Sequence, residues 1–127
     1  MEPQAKPGDY YFGHNTPEDI YVLATKDSLA QQGIDLGLKD GELLGYKGRT
    51  WALPGTRGEL VIMNGELTAS DDYRHVNVWN GDPKAKKLEA LMKEDLQRPG
   101  ITYERNGKEE ALPETVKNAV LGYAGGR

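Results

Sequence analysis

Asn-Gly pairs occur three times in this chain, at Asn64-Gly65, Asn80-Gly81 and Asn106-Gly107. Both residue types accept the positive φ angles that the tight type I′ turn of a two-residue β-hairpin requires. Strand-like runs flank the first pair (Glu59–Met63 and Glu66–Ala69) and the third (Ile101–Arg105 and Lys108–Ala111). The sequence therefore predicts two β-hairpins, and the second Asn-Gly pair closes a further strand.

Four more strands follow from composition. Asp19–Thr25 is apolar on both alternating faces, which predicts a strand that is covered on both sides. Glu42–Tyr46 and Arg49–Leu53 flank Lys47-Gly48, and we interpret them as another hairpin with a tight turn at that pair. Tyr73–Trp79 predicts the strand that Asn80-Gly81 closes.

Helix signals concentrate near the end of the chain. Asp82 can cap a helix and Pro83 suits its first position, after which apolar residues recur at spacings of three and four up to Leu96. Pro113 begins a last helix, and a short one is expected at Leu29–Gln32. Because strands dominate the middle and helices the end, we predict an α+β fold: a mainly antiparallel sheet of hairpins with two C-terminal helices packed against it.

The length of 127 residues predicts a single domain, 1–127, with an extended arm at 1–9 and a frayed tail at 125–127. No linker long enough for a domain boundary is visible. The expected core comprises aliphatic residues of the predicted strands and helices. These are Ile20, Val22, Leu23, Leu60, Ile62, Val76, Val78, Leu88, Leu91, Leu96, Val116 and Val120.

Composition excludes several classes of protein. The absence of cysteine removes disulfides, zinc–thiolate sites and cysteine nucleophiles. The net charge of −4 counts against general nucleic-acid binding, which needs basic residues to replace the counterions of phosphates. The first eight residues have no apolar stretch of the kind found in secretion signals, and no apolar run is long enough to span a membrane. We therefore expect a cytoplasmic protein without a membrane partner.

The strand Tyr73–Trp79 has an unusual composition. Alternate residues of a strand share a face, so Tyr73, His75, Asn77 and Trp79 line one side, here called the polar-aromatic face, and the two valines and Arg74 line the other. Two aromatic rings, an imidazole and an amide in a row suit a planar polar ligand or a partner surface. The alternative is an ordinary solvated strand face.

The two histidines of the chain, His14 and His75, permit a catalytic alternative. One imidazole would remove a proton and the other would donate one, as the cleavage of RNA or of a cyclic phosphodiester requires. His14-Asn15-Thr16 resembles one half of the His-x-Thr pattern of the two-histidine phosphoesterases. Because His75-Val76-Asn77 lacks the hydroxyl of that pattern, we do not assign the chain to that family.

No metal site is expected, because the two isolated histidines and scattered carboxylates fit no ligand template. The Gly-rich segment from Leu53 to Gly58 lacks the Gly-Lys-Ser/Thr ending of a phosphate loop and is interpreted as a turn. No cofactor is expected either.

The leading hypothesis is a non-enzymatic binding protein of the inhibitor, immunity or phage-accessory type. Its partner would be a protein or a nucleotide-like small molecule, and self-association through the same face is an alternative. The expected binding residues combine the polar-aromatic face with its neighbours. They are Tyr11, Trp51, Tyr73, Arg74, His75, Asn77 and Trp79. The second hypothesis is a small metal-independent phosphodiesterase or ribonuclease using His14 and His75.

Overall fold

One seven-stranded sheet organises the computed structural model, which describes residues 5–13, 18–49, 57–65, 73–77 and 82–125, the last three of 73–77 and the last two of 82–125 as backbone only. The strands run in the spatial order β5-β1-β2-β3-β4-β6-β7. Their bounds are β1 Asp9–Gly13, β2 Asp19–Thr25, β3 Glu42–Gly48, β4 Glu59–Asn64, β5 Tyr73–Asn77, β6 Thr102–Arg105 and β7 Lys108–Ala111. The helices are α1 Lys26–Gln31, α2 Pro83–Leu96 and α3 Glu114–Gly125.

The pairing is antiparallel throughout the sheet except between β4 and β6, which are parallel. The predicted α+β class with a mainly antiparallel sheet and C-terminal helices is confirmed. The parallel pair arises because the chain leaves β4, forms β5 at the far edge, and returns through α2 before β6 begins. Such a return requires a long crossover rather than a tight turn.

The helix α2 begins where the sequence predicted. The carboxylate of Asp82 accepts a hydrogen bond from the amide of Lys84 at 2.8 Å, and Pro83 occupies the first helical position. The start of α1 differs from the prediction, because the helix begins at Lys26 rather than at Leu29 and has Thr25 as its cap. The side chains of Thr25 and Ser28 each bond the backbone amide of the other, which forms a capping box.

The hairpin between β6 and β7 is confirmed, and its turn residues Asn106 and Gly107 have φ angles of 51° and 81°. The predicted hairpin around Lys47-Gly48 is wrong. Both residues lie inside β3, which pairs with β4 and continues to Gly48 opposite Asp19. The pairing of Leu44 with Ile62 and of Lys47 with Glu59 fixes this register, so the connection between the two strands is longer than a tight turn.

The first strand begins at Asp9, the last residue of the predicted arm 1–9. The amide of Gly8 donates to the carbonyl of Val22 at 2.8 Å, and Asp9 is already part of β1. Tyr10, Tyr11 and Phe12, which follow the predicted arm, are strand residues between β2 and β5. At the other end of the chain, α3 includes Gly125, which the sequence assigned to the tail.

Both faces of the sheet are covered, as the double apolar pattern of β2 predicted. The larger cluster lies between the sheet and the helices and contains Leu23, Leu88, Met92, Leu96 and Val116. A second cluster on the opposite face is formed by four buried residues. They are Tyr11, Ile20, Val22 and Leu43. Among the expected core residues, Ile62 and Leu91 are only partly buried, and residues 76 and 78 lie outside the described side chains.

A row of aromatic residues crosses the helix-facing side of the sheet. The registers of β1, β2 and β3 bring Tyr10, Tyr21 and Tyr46 side by side, and β4 and β6 continue the row with Leu60 and Tyr103. All five belong to the larger cluster. Aromatic rings bury large areas, so this row supplies much of the surface on which the helices pack.

The helix α2 is fixed to that row by hydrogen bonds at two positions one and a half turns apart. The hydroxyl of Tyr21 donates to Glu89 at 2.8 Å, and the hydroxyl of Tyr46 donates to Asp95. Because Tyr21 and Tyr46 stand on adjacent strands, the two bonds fix the direction in which α2 crosses the sheet.

Candidate functional site

The strand that carries the polar-aromatic face lies at one edge of the sheet. In the described part of the chain β5 pairs with β1 alone and stands first in the strand order. Its register sets Tyr73 opposite Gly13, His75 opposite Tyr11 and Asn77 opposite Asp9. Residues directly opposite one another share a face, so positions 73, 75 and 77 lie on the side of the sheet occupied by the second cluster.

Tyr11 and Tyr73 are the two predicted binding residues on this side whose side chains are described. Tyr11 is fully buried, and Tyr73 is partly buried and packs against the second cluster. Burial, assisted by the negative charge of Asp9, raises the pKa of the Tyr11 hydroxyl far above its usual value. Tyr11 is therefore a core residue on this side of the sheet. Tyr73 lies at the border of the second cluster, where its side chain is partly exposed.

Arg74 lies on the opposite, helix-facing side of β5. It is paired with Phe12 of β1, and its guanidinium carbon is 6.0 Å from the centre of the Phe12 ring. The ammonium of Lys84, in the first turn of α2, is 5.4 Å from the centre of the same ring. Phe12 also stacks on Tyr10 with ring centres 6.0 Å apart. Two exposed cations thus gather around one ring beside the edge strand.

The remaining predicted site residues fall outside this description. Trp51, Trp79 and His14 belong to segments outside the described residues, and His75 and Asn77 are described by backbone alone. The structure therefore brings together Tyr11, Tyr73 and the backbone of positions 75 and 77, and it sets Arg74 on the other face. Whether the two imidazoles approach each other stays a prediction of the catalytic alternative.

A buried polar group that the sequence did not indicate joins β3 to α2. The Tyr46 hydroxyl donates to the Asp95 carboxylate and accepts from the Gly58 amide at 2.9 Å. The Nε atom of Arg98 lies 3.5 Å from the Oδ1 atom of Asp95. Burial first, and then the Asp95 hydrogen bond, raise the pKa of Tyr46 far above its usual value. The Tyr46 hydroxyl and both Asp95 oxygens have partners within the fold, so we interpret this group as one that stabilises packing.

A groove with a volume of about 580 Å³ lies between the end of α1 and the start of α3. Sequence reasoning missed it, because its two walls are some eighty positions apart in the chain. Its apolar part includes Ile34 and Val116. Polar side chains stand around these, namely Gln32, Asp35, Thr115 and Asn118. The only sequence signals near it were Gly33 and Pro113, which bound the two helices.

Two classes of feature are absent from the described residues. No three His, Asp or Glu side chains gather there in a group that could hold a metal ion. None of the helices in those ranges combines the length and the apolar character that crossing a membrane demands.

Comparison with known proteins adds no functional information. No protein-family model matches the chain, and no curated protein or solved structure resembles it significantly. The assignment of function consequently depends on the geometry described above.

Proposed function

We propose that this chain is a non-enzymatic binding protein that recognises its partner through strand β5 and the polar-aromatic face. The observation that supports the proposal is the position of β5 at the edge of the described sheet, where positions 73, 75 and 77 lie on the same side as the second cluster. Tyr and Trp are among the residues that most often anchor protein interfaces, because they bury large areas and keep a polar group for hydrogen bonding.

The packed strands beside β5 favour recognition by a preformed surface. Tyr11 of β1, the strand that pairs with β5, is 0% exposed and Ile20 of β2 is 1% exposed, so β5 adjoins a packed part of the sheet. A preformed surface loses little conformational entropy when a partner binds, which favours affinity.

The positive charges beside β5 favour a partner with negative charge. Arg74 and Lys84 bring two positive charges to the ring of Phe12, although the chain as a whole is acidic. Complementary charge at the rim of an interface raises the association rate and guides orientation. A partner that presents acidic groups next to its contact with β5 would fit this arrangement.

Site-specific photo-crosslinking tests the proposal. A benzophenone amino acid at position 77, on the polar-aromatic face of β5, should capture a discrete partner in cells, whereas the same group at the exposed position 109, on β7 at the far edge, should not. With the captured partner purified, Tyr73→Ala and Trp79→Ala should each weaken binding at least tenfold, as loss of an aromatic anchor typically does.

His14→Ala separates the binding function from the catalytic alternative. A binding protein should retain the partner affinity of the wild type with this substitution and show no turnover of RNA or of cyclic nucleotides. Turnover by the wild type that is lost in both His14→Ala and His75→Ala would instead establish the phosphodiesterase. Identical capture at positions 77 and 109 would show that β5 is not the contact surface.

A further inference from the structure

The α1–α3 groove has the construction of a small ligand site. Ile34 and Ala119 are partly exposed and present an apolar patch to the groove, beside the fully buried Val116. The volume of about 580 Å³ falls in the range of sites that hold small ligands.

The polar side chains of the groove are available to a ligand. In the described part of the chain, the side chains of Gln32, Thr115 and Asn118 make no intramolecular hydrogen bond. A ligand that hydrogen-bonds to them therefore displaces water only and breaks no contact of the fold. Two amides and a hydroxyl offer both donors and acceptors, which matches the alternating N–H and C=O groups of a peptide.

The charge of the groove is negative. Asp35 is its one charged lining residue, and one of its oxygens accepts from the amide of Gly37 at 2.8 Å. The lysines of the two helices have acidic partners, since Lys26 lies 2.8 Å from Asp40 and Lys117 lies 4.0 Å from Glu114. Glu114 in the first turn of α3 also offsets the positive end of that helix dipole.

The acidic residues around Lys26 also indicate a negative electrostatic potential near the groove. Its pKa is raised chiefly by the hydrogen bond with Asp40, and the charges of Asp27 and Asp35 act in the same direction. A cationic group is therefore favoured at this end of the molecule over an anionic one.

We propose that the α1–α3 groove binds a short peptide segment that combines an aliphatic side chain with a neighbouring basic one. The aliphatic side chain covers Ile34 and Ala119, the main chain bonds the amides of Gln32 and Asn118, and the basic side chain pairs with Asp35. This site is separate from β5, so it adds a second contact to the proposed binding function and does not depend on it.

Titration with a capped dipeptide, followed by ¹H–¹⁵N NMR, tests the proposal. N-acetyl-leucyl-lysine amide should shift the backbone amides of 32–35 and 115–119, with a millimolar dissociation constant. The matched N-acetyl-leucyl-glutamate amide should bind about fivefold more weakly, because an exposed ion pair contributes up to roughly that factor. Ala119→Leu, which fills the groove from α3, should abolish the shifts in both ranges.

Charge variants identify the contact. Asp35→Asn should remove the preference for the lysyl peptide, while Glu109→Gln, which makes the same charge change on β7, should preserve it. Tyr73→Ala should leave the titration unchanged, so failure here and failure of the β5 proposal are distinguishable. Absence of shifts in 32–35 and 115–119, or equal affinity for the two dipeptides with wild-type protein, would overturn the proposal.

Discussion

Tyr46 joins the sheet to α2 through one hydroxyl group that serves two partners. It donates to Asp95, which is only 5% exposed, and accepts from the amide of Gly58. Tyr46→Phe removes that group, leaving a buried carboxylate with Arg98 alone and an amide without its acceptor. We expect a loss of about 2 kcal/mol in the free energy of unfolding, measured by urea denaturation.

Tyr103→Phe is the matched control for this prediction. Tyr103 stands in the same aromatic row and is nearly buried, but within the described chain its hydroxyl makes no hydrogen bond. Its loss should change the free energy of unfolding by less than about 0.5 kcal/mol. Equal effects of the two substitutions would show that the Tyr46–Asp95 contact contributes nothing beyond ring packing.

Gly58 is required by close packing rather than by backbone conformation. A Cβ atom there would lie 2.5 Å from the carbonyl oxygen of Lys47 and 2.6 Å from the Cζ atom of Tyr46. Gly58→Ala should therefore destabilise the fold by about 2 kcal/mol or more, because both neighbours are held in place.

Substitution of Gly122 by alanine should have the opposite effect on stability. It lies within α3, and a Cβ atom there would meet nothing within 4 Å. Gly122→Ala should raise the free energy of unfolding by about 0.5–1 kcal/mol, because alanine favours helix over the unfolded chain. Urea denaturation of both variants should show opposite signs, and a neutral Gly58→Ala would be inconsistent with the contact distances.

The residue-scale contacts could not be predicted from the sequence. Tyr46 and Asp95 are 49 positions apart, and neither stands in a motif that indicates the other. The sharing of one face by positions 73, 75 and 77 could be predicted, because alternation is a local property of one strand. The burial of Tyr11 could not, because it depends on strands that join β1 from elsewhere in the chain.

At the scale of elements, β7 presents all four of its residues to solvent at an edge of the sheet. Its register places Glu109 directly opposite Glu104 of β6, which brings two like charges together on one face. Glu110 on the other face is paired with Arg105, whose Nε atom is 3.5 Å away. Charged residues on an edge strand discourage pairing with other chains, at some cost in stability.

Reversing the charge of Glu109 and that of Glu110 should change stability in opposite directions, because the two residues lie on opposite faces of the hairpin. Glu109→Lys replaces a like-charge pair by an opposite-charge pair and should stabilise the fold by about 0.5 kcal/mol. Glu110→Lys breaks the contact with Arg105 and should destabilise it by a similar amount. Thermal unfolding at low and high salt provides the measurement, since both differences should shrink as salt screens the charges.

Elements with strong local signals were predicted with nearly correct bounds. Asp82-Pro83 and the apolar stripe located α2, and Asn106-Gly107 located the turn between β6 and β7. Lys47-Gly48 wrongly predicted a turn, because a lysine-glycine pair within a strand has the composition of a turn. A close approach explains it: a Cβ at Gly48 would lie 3.2 Å from a methyl carbon of Leu88, so glycine lets α2 pack against β3.

At the scale of the whole molecule, the order of the strands was beyond local reasoning. Hairpin signals identify neighbours in the chain, whereas β1 joins β5 across some sixty positions and β4 joins β6 around a crossover. Such pairings are selected by which faces can be buried together. The sheet accordingly has two covered faces, and its two edges differ: β7 is exposed and charged, and β5 carries the proposed binding surface.

Two buried tyrosines give the whole fold a dependence on alkaline pH. The pKa values of Tyr11 and Tyr46 are both raised in the folded state, chiefly by burial, above the ordinary value of 10.0. Below pH 10 both states keep these protons, so the stabilising contribution is complete. Above pH 10 the unfolded chain loses its protons first, so stability falls by up to about 1.4 kcal/mol per pH unit for each tyrosine.

Urea denaturation between pH 8 and roughly pH 11.5 measures this slope, since the linkage of proton loss to unfolding sets it. Tyr46→Phe and Tyr11→Phe should each reduce the slope by about half, and the double variant should remove most of it, whatever their stabilities at pH 8. The slope is the informative quantity, because a hydroxyl that is merely well packed changes stability equally at every pH. A wild-type slope that persists unchanged in the double variant would assign the alkaline transition to other groups.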